Sequence, residues 1–104
     1  MSNFLYDGDS TFEVEPIYED DERTIVRVSL CGLNRKVRNE GSTTTYRITA
    51  GEGMMVVDGQ DIFLKPGVEV VVEQGSEYYD VGNFEGIAIS KPPFDESKVV
   101  LVED

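Results

Sequence analysis

The chain has no histidine, no tryptophan, a single cysteine and only nine basic residues. It also has no apolar run approaching the ~18 residues that a membrane-spanning helix requires. Without imidazole, the usual near-neutral general base and the commonest transition-metal ligand are both missing. Cys31 has no partner for an internal disulfide, and the N-terminal MSNFLYDGDS has neither the basic start nor the apolar stretch of an export signal. The sequence therefore reads as that of a cytoplasmic protein. Nine basic residues against 21 acidic ones give a net charge of -12. Such a surface repels phosphate backbones and anionic lipid, so neither nucleic acid nor membrane is expected as a partner.

What is present is enough for one core. The 104 residues, 39% of them hydrophobic, suit a single domain over 1–104 that buries roughly two thirds of its unfolded surface. The clearest signals lie between Tyr46 and Gly82. Asp58-Gly59 separates two apolar runs, Met54 to Val57 and Ile62 to Leu64, and a DG pair in that setting favours the positive-φ residues of a type I′ hairpin turn. Turn signals recur at Lys65-Pro66-Gly67 and Gln74-Gly75-Ser76, marking strands of about five residues with no helical segment between them.

The flanking sequence has the same character. Thr11 to Ile17 alternates Phe12 and Val14 with Glu13 and Glu15, and Pro16 places this strand at an edge. Residues 1–10 form an N-terminal segment able to add an edge strand. Its Asp7-Gly8-Asp9-Ser10 lacks the further ligands of a calcium loop and reads as a solvated turn, as does Glu19-Asp20-Asp21-Glu22. Arg23 to Leu30 is a strand with Thr24, Val26, Val28 and Leu30 on one face, and Gly32 to Asn39 is extended. Thr43 to Ala50, Val68 to Val72, Gly86 to Ser90 and Val99 to Val102 complete an all-β chain.

Charge is unevenly distributed. From Arg23 to Arg47 the basic residues are Arg23, Arg27, Arg35, Lys36, Arg38 and Arg47, and the only acid is Glu40. Two readings stand: outward strand positions paired with the acidic remainder, or an anion site within an acidic protein.

Over about half its length the sequence resembles the cupins, small β-barrels of two antiparallel sheets in a jelly-roll arrangement. Gly51 and the hairpin after it match the end of the first cupin motif, G-x5-HxH-x3or4-E-x6-G. Gly67, Gly75, Tyr78 and Gly82 stand at the spacing of the first Gly, second Gly, His and Asn of the second motif. The resemblance implies a cupin-like double-stranded β-helix, with a homodimer as the usual arrangement. It places the family's metal-binding Glu on Thr44, and its two His on Arg38 and Glu40 or, with the longer spacer, on Val37 and Asn39. The remaining His falls on Tyr78. No metal or other cofactor is expected from such a set.

With Thr44 inward, strand alternation turns Tyr46 and Ile48 inward as well and Thr45 and Arg47 outward, and Arg38 and Glu40 share the inward parity under the shorter spacing. The candidate ligand-binding residues are thus Arg38, Glu40, Thr44, Tyr46 and Tyr78. Three functions remain open. One is a metal-free module binding a small polar or anionic molecule such as a carbohydrate derivative. Another is a metal-independent isomerase or epimerase, with Tyr46 or Tyr78 as acid and Glu40 or Glu73 as base. The third is a structural or interaction protein whose barrel is filled by its own side chains, Met54 or Met55 and Phe63 among them.

Overall fold

The structure is a computed structural model that describes residues 10–102. The expected added edge strand in residues 1–10 falls almost entirely outside that range. Eight strands make one strongly curled antiparallel sheet: β1 (Thr11–Glu19), β2 (Thr24–Leu33), β3 (Val37–Asn39), β4 (Thr43–Val57), β5 (Gln60–Leu64), β6 (Glu69–Val72), β7 (Glu77–Lys91) and β8 (Val99–Leu101). A 3-10 turn, Glu96–Lys98, precedes β8. Among the described residues no helix is long and apolar enough to cross a membrane.

Strand β7 is the axis of the barrel. It pairs with β4 along its whole length on one side, and on the other with β2 and then β3. Its sequence alternates accordingly, with Asp80, Phe84, Gly86, Ala88 and Ser90 buried and Val81, Asn83, Glu85 and Lys91 exposed. This is the pattern of an antiparallel strand with one face on a core and one on solvent.

Both β4 and β7 are longer than the sequence pattern suggests. The composition reads as a break after Ala50 and a start at Gly86, yet each strand runs for 15 residues. In β4 the alternation is interrupted by a register shift between Ile48 and Ala50. A bulge of this kind reverses which residues face inward without ending the ladder, so the strand continues on the other parity. In β7 the apolar pattern is diluted by Gly82 and Gly86, but the ladder passes through both.

The Asp58-Gly59 turn joins β4 to β5 with φ of 49° and 83°, and Val57 pairs with Gln60 across it. These are the two positive-φ positions of a two-residue type I′ hairpin. Asp58 also anchors the turn to β7: its N–H donates to the Glu77 carbonyl at 2.8 Å, and its Oδ1 accepts from the Glu77 N–H at 2.9 Å. The register so fixed sends Met55 and Leu64 into the core beside Leu30, Ile48, Val70, Val72 and Phe84. Gly59→Val is expected to cost about 1 to 2 kcal/mol, the strain of a β-branched residue in the left-handed region. A Cβ at Gly59 meets nothing within 4 Å, so backbone strain is the only source of that loss. Urea denaturation checks it, and an unchanged midpoint would rule out the strain.

At the sheet edge β1 pairs, among the described residues, with β2 alone. Pro16 sits there, next to a register shift, where its missing N–H breaks no central ladder. Of the basic residues between Arg23 and Arg47, Arg27 pairs with Glu15 and Arg47 with Glu69, all four side chains lying at the surface. For these two arginines the surface-pairing reading describes what is seen, and such pairs contribute little stability.

Candidate functional site: a cavity with two tyrosines and a buried carboxyl

Inside the curl of the sheet lies a cavity of about 340 Å³. One part of its wall is apolar, with Phe12 and Val14 from β1, Val26 and Val28 from β2 and Ala88 from β7. These positions follow from alternation along three neighbouring antiparallel strands, which puts every second residue on the same concave face. The rest of the wall adds Val37, Phe94 and Val99, the charged Arg35 and Glu96, and a set of uncharged or buried polar groups. Tyr46 and Thr44 of β4, Tyr78, Asp80 and Ser90 of β7, Asn39 of β3 and Asn34 of the β2–β3 connection all reach the cavity.

Among the polar groups are three hydrogen-bonded pairs. In one, Thr44 Oγ1 and Ser90 Oγ lie 2.9 Å apart. In the second, the Tyr46 and Tyr78 hydroxyls are 3.1 Å apart, with their rings tilted at 56°, and the third joins Asn34 to Asp80. Asp80 lies on the same wall, only 5% exposed, and its Oδ1 accepts from Asn34 Nδ2 at 3.0 Å. A backbone bond reinforces that link, the Asn34 N–H donating to the Asp80 carbonyl at 2.9 Å.

Burial sets the electrostatics of this wall. Removal from water disfavours ionisation and lifts the Asp80 carboxyl to about 6, against the opposing pull of the Asn34 hydrogen bond, which favours the carboxylate. Burial also pushes Tyr78 up to about 12 and Tyr46 well above its ordinary value. Near neutral pH both phenols therefore hold their protons and act as hydrogen-bond donors, while the carboxyl titrates close to neutrality.

Three of the five residues chosen from sequence, Thr44, Tyr46 and Tyr78, line this cavity. Arg38 and Glu40 do not. In β3 it is Val37 and Asn39 that are buried and face the cavity, so the longer of the two motif spacings describes the strand. Arg38 turns the other way, its Nε donating to Glu40 at 2.9 Å and its Nη1 to Glu77 at 3.4 Å. Glu73, considered as a base, is exposed and away from the cavity lining. Phe63, considered as a plug, is 76% exposed on the outside.

Asn34 and Asp80 are the residues that sequence reasoning missed. Asp80 was within reach, because alternation along β7 puts it on the same face as Tyr78. Asn34 gave no signal, since it lies in an irregular connection that long-range bonds hold, its own to Asp80 among them.

No protein-family model matches the chain, and no curated protein matches its sequence. Solved structures do match its shape. Pac13, described as a unique nucleoside dehydratase, superposes with a TM-score of 0.78 at 20% identity, covering 88% of this chain and 86% of that one. A variant of Streptomyces PAC13 with uridine gives 0.77 at 20% identity over 88% and 86%. The Schizosaccharomyces pombe Cnp3 cupin domain gives 0.73 at 10% identity, over 78% of this chain and 64% of that one. The chain has a cupin fold.

Within the cupin fold, the positions where the sequence motifs place metal donors now have a geometry. Val37, Asn39, Thr44 and Tyr78 all line the cavity. An aliphatic side chain, an amide, an aliphatic hydroxyl and a protonated phenol do not make a transition-metal site, which calls for imidazole, thiolate or carboxylate. Among the described residues no group of three such donors converges anywhere. The donor set does not fit a resident metal.

Proposed function

We propose that the barrel binds a small, uncharged polar molecule with an apolar ring face, of the sugar or nucleoside kind. The observation that supports this most is the mixed cavity wall, apolar at Phe12, Val14, Val26 and Val28 and bearing hydroxyls, amides and a carboxyl at Tyr46, Tyr78, Asn34, Asn39 and Asp80. A ring with hydroxyl groups matches both halves: its C–H face packs on the valines while its hydroxyls meet Tyr46, Tyr78 and Asp80. An uncharged ligand is favoured over an anionic one because Arg38 is outside the cavity and the cation that does line it, Arg35, shares it with two carboxyls, Asp80 and Glu96. Uridine in the PAC13 structures agrees with a ligand of this size and polarity.

A thermal-shift series with uridine, D-ribose, D-xylulose and D-fructose tests the reading. A ligand that binds only the native state raises the melting temperature, and at one hundred times its Kd it adds about 2.7 kcal/mol. At least one of the four is expected to shift the transition, and Ala88→Leu, which extends a side chain into the cavity, is expected to abolish the shift. No shift with any of them, or an equal shift in Ala88→Leu, would count against it.

The same reading takes the purified protein to be a metal-free homodimer. A row of outward apolar residues supports the dimer: Leu33 opposes Val81, Val81 opposes Met54, and Met54 opposes Phe63, crossing four strands on one face. Such a row is the type of surface that a second copy covers. Native mass spectrometry checks both points. A monomer mass would overturn the dimer, and an added transition-metal mass would overturn the absence of metal.

A further inference from the structure

Two carboxyls line the cavity, Asp80 and Glu96, and they differ in situation. Glu96 is exposed, whereas Asp80 is buried at the polar wall. Burying a carboxyl costs stability, and the surrounding apolar core requires nothing from it. Two bonds from one residue hold it in place, the Asn34 amide on its carboxyl and the Asn34 N–H on its carbonyl. On the same wall the two phenols form a hydroxyl pair. A fixed carboxyl beside a hydrogen-bond-donating pair, in a cavity that also has an apolar wall, is an arrangement suited to moving a proton to and from carbon.

We propose that the cavity is an active site in which Asp80 removes a proton from the carbon next to the carbonyl group of a sugar-type substrate, with Asn34 as its positioning residue. This rests on the ligand reading above. The step balances without an oxidant or a co-reactant. The Asp80 carboxylate takes the proton, the C–H electron pair moves into a C=C bond, and the carbonyl π pair becomes the enolate oxygen. A hydroxyl of Tyr46 or Tyr78 donates a hydrogen bond to that oxygen, where negative charge develops. Asp80 then returns the proton in one of two ways. Delivery to the former carbonyl carbon, with the proton of the neighbouring hydroxyl passing to the enolate oxygen through the tyrosine hydroxyl pair, completes an isomerisation; delivery to a hydroxyl on the β carbon releases water as the C–O bond breaks and the enolate electron pair re-forms the carbonyl.

Both outcomes share the first step, and solvent exchange detects it. The full chain is incubated in D2O with D-xylulose, D-fructose or D-glyceraldehyde, and loss of the proton signal next to the carbonyl is followed by NMR against a protein-free control. Binding is read in parallel from chemical-shift changes of the protein. Exchange is expected in at least one of the three and to fall at least a hundredfold in Asp80→Asn, the range for loss of a general base, while the variant still binds. Asn34→Ala is expected to move the pH dependence of exchange to higher pH, because the hydrogen bond that favours the carboxylate is gone. A lower rate with an unmoved profile would make Asn34 merely structural. A bound sugar with no exchange, or exchange that survives Asp80→Asn, overturns the proposal and leaves the ligand reading intact. Uridine binding with none of the three carbonyl sugars bound does the same, and no binding by any probe removes both.

Discussion

Gly82→Ala is expected to lose roughly 2 to 5 kcal/mol of stability, combining about 1 to 2 from left-handed strain with about 1 to 3 from overpacking. Gly82 has φ of 136°, and a Cβ there would come to 2.5 Å from Gly53 Cα and 2.6 Å from the Glu52 carbonyl oxygen. Both obstacles are backbone of the paired strand β4, so relief requires moving one axial strand off the other. Against the ~5 to 15 kcal/mol available to a small domain, this is enough to threaten folding. Gly67→Ala is the control. That glycine also has positive φ, 94°, but nothing lies within 4 Å of its Cβ, so only the strain remains. Urea unfolding of both variants separates the terms. Equal losses would show that β4 and β7 are not in close approach at Gly53 and Gly82.

Asp80→Asn is expected to stabilise the protein above pH 7, by on the order of 2 kcal/mol, and to make little difference near pH 4. The sign follows from the raised carboxyl. In the unfolded chain it ionises near its ordinary 3.8, and in the folded protein burial delays this to about 6. Between those values the unfolded state releases its proton first, so stability falls as pH rises from about 4 to 6 and stays lower above that range. Below pH 4 both states are protonated and the penalty vanishes. An asparagine is never charged, and its Oδ1 still accepts from Asn34 Nδ2. Since both forms share every other carboxylate, the difference between their pH–stability curves isolates this group. A constant difference from pH 4 to 8, or a less stable variant at pH 8, would place the carboxyl in contact with water. Stabilisation combined with loss of exchange would mark Asp80 as a group retained for chemistry at the expense of stability.

Much of this was determined by the sequence itself. The Asp58-Gly59 turn is local chemistry: two residues that tolerate positive φ between two apolar runs leave the chain few other conformations. The inward face of Thr24, Val26, Val28 and Leu30, and that of Thr44, Tyr46 and Ile48, follow from strand alternation, which has a fixed period of two. The absence of histidine decided against an imidazole metal site before any coordinate was known. Tertiary structure decided the rest. Whether Arg38 or Val37 faces the cavity is a question of register, and a one-residue slip exchanges the two faces of a strand. That β4 and β7 run unbroken through glycines depends on each strand finding the other, which composition along one segment does not encode. Asn34 and Asp80, 46 positions apart, become one unit only when β7 lies alongside β2 and the connection after it. Local propensity acts over a few residues, whereas a buried carboxyl and its positioning amide are brought together by long-range strand pairing.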